Sequence, residues 1–61
     1  MSAERFIGKK VKVVSRDGSN VIIWYGRVLS VDSRFLDLED KFGKEVSLSL
    51  EKIDKIEEAN L

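Results

Sequence analysis

The chain has 61 residues, with 11 basic and 11 acidic side chains, 43% hydrophobic residues and neither Cys nor His. This length predicts one small domain over residues 1–61, and the lack of Cys and His excludes disulfides and argues against a metal site. Because so short a domain buries only about 60% of its unfolded surface, its stability is marginal, and we predict that it forms a homo-oligomer.

Localisation and source are predicted from what the sequence lacks. No apolar run approaches the roughly 18 residues of a membrane span, and the first residues show no signal-peptide pattern. We therefore predict a cytoplasmic protein without a membrane partner. The absence of Pro and the abundance of Lys and Glu favour a thermophilic source.

The start of the chain predicts a helical turn, a strand and a tight turn. Ser2 is a suitable N-cap for one helical turn over residues 1–6. The alternation of polar residues and Val from Lys10 predicts a half-buried strand that ends near Ser15. Residues 16–20 then gather turn-forming side chains around an Asp-Gly pair, which predicts a hairpin.

The longest predicted strand spans residues 21–31 and is dense in β-branched and aromatic side chains. Both of its faces are apolar at the start, so we expect that part to be covered on both sides. Trp24 and Tyr25 are neighbours and face opposite ways in a strand, so one should fill the core while the other lies outside or at a subunit interface. Gly26 in mid-strand predicts sharp bending or a close backbone approach.

The second half predicts two short strands and leaves two alternatives for the tail. Residues 35–39 and 45–50 alternate apolar and polar side chains around the turn 40–44. The apolar residues of the tail recur every three positions, which favours a helix. The rival is a 3₁₀ turn at residues 50–52 and a final strand around residues 53–57, which a small barrel needs at its edge. The elements together predict an all-β fold, a small five-stranded barrel.

Charge is unevenly divided along the chain. Residues 1–30 carry six basic and two acidic side chains, net +4, and residues 31–61 carry five basic and nine acidic ones, net −4. Such a division places a basic face opposite an acidic one unless strands from the two halves interleave on folding.

Two segments resemble the Sm-like proteins. Ile7-Gly8 leads into the first alternating strand, and residues 26–32, Gly-Arg-Val-Leu-Ser-Val-Asp, match the spacing of the family's first motif, whose ending the segment Leu38-Glu39-Asp40 resembles. The resemblance covers residues 6–57. It implies an SH3-like, Sm-like barrel with a short N-terminal helical turn, which forms rings by pairing edge strands and binds uridine-rich RNA in the pore.

The resemblance also implies a base-binding position. Asp32 keeps the turn position of the motif, and Arg34 takes the position that stacks on the base. Leu36, or Phe35 in a neighbouring alignment, stands where the family has Asn, and residues 49–50, Ser-Leu, stand where it has an Arg-Gly pair. Two of the three base-reading groups of the family are therefore replaced.

The predicted function is nucleic-acid binding without catalysis. The chain has no His, no Cys, no Ser in a nucleophile motif and no Gly-rich phosphate loop, which predicts neither an enzyme nor a cofactor. An Sm-like oligomer would bind RNA, or single-stranded nucleic acid generally, through phosphate contacts and stacking. The alternative is a protein-interaction or assembly module whose partner is another protein. The residues predicted to contact nucleic acid are Arg34, Phe35, Lys9, Lys10, Lys12 and Arg16.

Overall fold

The computed structural model describes residues 3–59, which form one antiparallel sheet and two short 3₁₀ turns. The elements are a first 3₁₀ turn at Glu4–Phe6, β1 at Lys10–Asp17, β2 at Asn20–Val31, β3 at Phe35–Glu39, β4 at Glu45–Ser49, a second 3₁₀ turn at Leu50–Lys52 and β5 at Ile53–Glu58. The order across the sheet is β4-β3-β2-β1-β5, so the last strand returns to pair with the first.

The all-β prediction is confirmed, and the tail adopts the strand alternative rather than the helix. The second 3₁₀ turn occupies residues 50–52, and β5 pairs with β1 so that Ile56 lies opposite Val13. Ile56 is buried there and completes one edge of the core. In residues 3–59 each helical segment is three residues long, and none is long and apolar enough to cross a membrane.

The expected closure into a barrel is not found across the described residues. β4 and β5 are the two edge strands of an open sheet and do not pair with each other. The chain passes between them through the second 3₁₀ turn, where the backbone N–H of Leu50 donates to the carbonyl of Arg34 at 2.9 Å. The second 3₁₀ turn joins the two edge strands of the sheet, each of which has one strand neighbour among the described residues.

One face of the sheet encloses the hydrophobic core. The alternation predicted for the first and third strands is confirmed, since every second side chain of β1 and β3 is buried. The first 3₁₀ turn adds Ala3 and Phe6 to the same core. The turn begins after Ala3, and the predicted cap Ser2 lies outside the described residues. The largest fully buried side chains are Val11, Val13, Val28, Leu36 and Leu38.

The long strand β2 pairs with a different strand along each of its two halves. Its residues 20–27 pair with β1, and its residues 27–31 pair with β3. Gly26 lies directly before Arg27, where the pairing of β2 with β3 begins. A Cβ atom at Gly26 would lie 2.9 Å from the carbonyl carbon of Glu39 and 3.1 Å from Cγ of Leu38. The predicted close backbone approach is therefore confirmed at Gly26.

The prediction that the start of β2 is covered on both sides is wrong for the isolated chain. β3 pairs with β2 only from Arg27 onward, so no described strand lies beyond the first half of β2. The exposed fractions of its aliphatic side chains are 51% for Val21, 41% for Ile22 and 49% for Ile23.

Trp24 and Tyr25 face opposite ways, as predicted. Trp24 packs against the core, whereas Tyr25 is 49% exposed on the outer face. The indole Nε1 of Trp24 donates to Oγ of Ser15 at 3.1 Å, and that hydroxyl donates to the carbonyl of Ile22 at 3.2 Å. Ser15 thus satisfies the indole donor at the margin of the core.

Candidate nucleic-acid interface

The predicted binding residues fall into two separate groups, and the first of them is the turn between β2 and β3. Arg34 lies in this turn and Phe35 begins β3, with 46% of Phe35 exposed. The Oδ1 atom of Asp32 accepts hydrogen bonds from the backbone N–H groups of both residues, each at 2.7 Å. These two bonds lower the pKa of the Asp32 carboxyl, and the charge of Arg34 adds to the effect. Asp32 therefore holds the shape of its own turn.

The second group is the basic stretch on and before β1, and it lies beside the acidic strand β5. Arg16 Nε is 3.0 Å from Asp54 Oδ2, and Lys9 Nζ is 3.1 Å from Glu58 Oε1. Lys12 lies directly opposite Glu57. The two oppositely charged halves of the sequence thus interleave, and acids neutralise much of the predicted phosphate-contacting stretch.

Glu57, which lies opposite Lys12, forms its ion pair with Lys55 of its own strand. A hydrogen bond from Lys55, 2.8 Å away, is the main cause that lowers the pKa of the Glu57 carboxyl, and the charges of Lys55 and then Lys12 add to it. Lys55 is thus the main partner of Glu57, and the charge of Lys12 makes a smaller contribution.

A groove that was not predicted opens where β3 parts from β2. It has a volume of about 780 Å³. It lies between β2 near Gly26 and the turn that joins β3 to β4, just beyond Arg27, where the pairing of β3 with β2 ends. The groove is lined by Lys10, Tyr25, Gly26, Arg27, Glu39, Asp40, Lys41 and Phe42.

Two aromatic rings are presented at this groove. Tyr25 is 49% exposed on the outer face of β2, and Phe42 is 79% exposed in the turn after β3. The Phe42 turn is held by Asp40, whose Oδ1 accepts from the backbone N–H of Phe42 at 2.8 Å and of Lys44 at 2.9 Å. The exposed ring is thus carried on a braced turn.

Cations surround the two rings. Lys10 lies directly opposite Arg27 in the β1–β2 ladder, and Nζ of Lys41 is 5.2 Å from the centre of the Phe42 ring. Two carboxylates share the groove: Glu39 lies opposite Arg27, and Asp40 is engaged by its own turn. The groove therefore holds three cations and two acids, which gives it a small excess of positive charge. Its two aromatic rings are surfaces on which a flat apolar group can stack.

The groove joins only one of the predicted binding residues, Lys10, to a new set. The sequence predicted that either Trp24 or Tyr25 lies outside the core and that residues 40–44 form a turn, but these segments are fifteen or more positions apart. Their proximity depends on the β2–β3 register, which no local pattern reveals. The signals that could have found the site are the exposed Phe42 in a polar turn and the tight Gly26 position.

Comparison with protein-family models, with curated proteins and with solved structures finds no match for this chain.

Proposed function

We propose that this chain is a non-enzymatic, Sm-like homo-oligomeric protein that binds single-stranded nucleic acid, with RNA as the main ligand. The observation that carries the proposal is the groove beside Gly26, which exposed Tyr25 and Phe42 line together with Lys10, Arg27 and Lys41. Single-strand binding proteins combine aromatic platforms for the bases with cations that follow the backbone, and the sequence preference of such surfaces is weak.

Each part of the groove has a physical role in this proposal. Phe42 gains most from stacking, because 79% of it is exposed. A base that stacks on the Phe42 ring covers apolar surface that otherwise faces water. Lys10 and Arg27 lie side by side on adjacent strands and supply phosphate contacts. Arg34 and Phe35 remain a second candidate surface, which the resemblance implies and which lies in the turn between β2 and β3.

Assembly through the sheet edges is part of the same proposal. The resemblance implies rings in which the edge strand of one subunit pairs with that of the next, and β4 and β5 both carry unpaired backbone groups. Such pairing would supply the burial that a 61-residue domain lacks. The mass of the protein in dilute solution tests this part, since a strictly monomeric protein contradicts it.

The binding test is a fluorescence titration of labelled oligo-U over a series of salt concentrations. We expect affinity to fall as salt rises, because bound cations release counterions from the strand. Phe42→Ala should weaken binding by about 1–3 kcal/mol, the cost of losing one stacked base. Phe35→Ala is the matched control, since it removes an equally large exposed ring from the other surface.

The outcomes separate the two surfaces and the two classes of function. Loss of affinity in Phe42→Ala with little change in Phe35→Ala supports the groove. The reverse pattern assigns binding to the turn between β2 and β3. No binding of any oligonucleotide at low salt contradicts the proposal and supports the second candidate, a protein-assembly module. That candidate is favoured by the zero net charge of the chain and by the ion pairs that occupy Lys9 and Arg16.

A further inference from the structure

We infer that the first half of β2 is a homodimer interface, at which the same segment of a second copy adds as an antiparallel strand. The edge of β2 that faces away from β1 is free from Asn20, where β2 begins, to Gly26, because β3 pairs with this edge only from Arg27 onward. This interface is distinct from the pairing of β4 with β5 in the proposed ring.

Backbone groups on this stretch lack partners. Counted from the Asp17–Asn20 pair that closes the two-residue turn, alternate residues of β2 direct their N–H and C=O groups toward β1, and those between direct them away. Val21, Ile23 and Tyr25 fall in the outward set. Within residues 3–59, no strand pairing or turn hydrogen bond takes up these outward groups.

The side chains of the stretch are apolar on both faces of the strand. Val21 through Tyr25 is a run of five apolar residues without charge, Pro or Gly. Exposed edges are normally protected from pairing by charges, Pro or bulges. The edge strands β4 and β5 carry charged side chains, Glu45 on the first and Asp54, Lys55, Glu57 and Glu58 on the second, so a strand that pairs with them has to match these charges. The first half of β2 carries none, so it is open to an uncharged strand such as its own copy.

The segment itself identifies a second copy as that partner. Ile23 is the middle residue both of the free stretch 20–26 and of the apolar run 21–25. An antiparallel pairing about Ile23 therefore uses the whole free edge and places Ile23 opposite itself, Val21 opposite Tyr25 and Ile22 opposite Trp24. No like charges meet in this register, and the two-fold axis closes the assembly as a dimer.

Charge complementarity supports the same register at its two ends. There the hairpin turn of one copy, which contains Asp17, would arrive beside the β3–β4 turn of the other, which contains Lys41 and Lys44. Neither lysine has an ion pair in the described part of the chain, whereas Asp17 has a 3.5 Å ion pair with Lys52 of its own chain, which the partner's lysines would share. The carboxylate of Asp40, which precedes Lys41, already accepts two backbone hydrogen bonds.

The test combines mass in solution with residue-resolved amide exchange on the intact chain. We expect wild-type protein to sediment as a species that contains dimers, with slower exchange of the Val21, Ile23 and Tyr25 amides as concentration rises. Ile23→Lys places two lysines opposite each other at the axis and should raise the dimer dissociation constant about tenfold or more. Ile7→Lys is the matched control, because Ile7 is 46% exposed against 49% for Ile23 and lies outside β2.

Each result decides for or against this interface. Protected core amides of Val13 and Val28 in Ile23→Lys establish that the variant is folded, and Val21→Lys repeats the test if it is not. The inference is overturned if the three outward amides exchange freely at high concentration. It is also overturned if Ile23→Lys assembles as the wild type does, or if Ile7→Lys disrupts assembly equally. The partner's hairpin turn would lie beside the groove that Tyr25 and Lys41 line, so oligonucleotide binding is measured for the wild type and for Ile23→Lys alike. Binding by Ile23→Lys tests the proposed function apart from the dimer.

Discussion

At the scale of single residues, Gly26 shows how one missing side chain permits the close approach of β3 to β2. Its backbone lies against the carbonyl group of Glu39, and no larger residue fits without movement of that strand. We expect Gly26→Ala to lower the free energy of unfolding by about 1–3 kcal/mol, since the obstacle is backbone and not a flexible side chain. Urea unfolding measures the change.

The neighbouring Arg27 supplies the control for that substitution. Arg27→Ala changes an exposed residue of the same strand, and the expected change lies within about 0.5 kcal/mol. A Gly26→Ala variant as stable as the wild type would mean that β3 moves away from Gly26 at little cost, so the close approach would not hold the two strands rigidly.

Asp32 provides a prediction for the pH dependence of stability. Hydrogen bonds from the backbone of Arg34 and Phe35 lower its pKa below the ordinary value of 3.8. The ionised form is therefore favoured in the folded state. This contribution is fully present above pH 3.8 and is lost as pH falls through the lower pKa of the folded state. Asp32→Asn retains an oxygen acceptor and removes only the charge.

The measurement is the free energy of unfolding of wild type and Asp32→Asn across the acidic range. We expect the wild type's advantage to be largest near neutral pH and to shrink as the pH is lowered through the titration of Asp32. A difference that stays constant with pH would show that the charge of Asp32 does not stabilise the turn between β2 and β3.

At the scale of the elements, β5 acts as an acidic cover for the basic strand β1. Changing its three acids with Asp54→Asn, Glu57→Gln and Glu58→Gln should release Lys9, Lys12 and Arg16 for phosphate contacts. We expect tighter binding of oligo-U and a salt dependence steeper by up to about 2 in logarithmic slope, at roughly 0.7 per cation for a single strand. Surface ion pairs contribute about 1 kcal/mol or less, so the variant should still fold.

A matched triple variant separates local release from overall charge. Glu4→Gln, Glu45→Gln and Glu51→Gln remove three exposed acids outside β5 and change the net charge equally. If both triple variants gain the same affinity, the effect belongs to net charge and the cover has no specific role.

The elements also show how far the sequence determines the fold and where it does not. Local alternation predicted β1 and β3, and the turn residues around Gly18 predicted the first hairpin, because these signals depend on near neighbours in the chain. The open sheet was not predicted, since the relation between β4 and β5 depends on how the chain crosses at residues 50–52. The groove was missed for the same reason. Lys10, Tyr25 and Phe42 meet only through pairings between distant strands.

At the scale of the whole molecule, stability should depend on protein concentration. A domain of this size is marginal alone, and an assembly that forms only from folded chains adds stability by mass action. We expect the Tm of the wild type to rise by several degrees for each tenfold increase in concentration, as differential scanning fluorimetry or calorimetry would record. The Tm of Ile23→Lys should depend less on concentration. A wild-type Tm that is independent of concentration would contradict every assembly proposed above.

The return of β5 to β1 has a consequence for the order of folding. Four strands form a meander in which each pairs with its neighbour in sequence, whereas Val11 of β1 pairs with Glu58 of β5, 47 positions away. Closing so long a loop costs entropy before any contact compensates for it. The meander should therefore form early in folding and β5 should dock last. Before β5 docks, the lysines on and before β1 lack the acidic neighbours that β5 supplies. A polyanion present during refolding would therefore compete with β5 for these lysines.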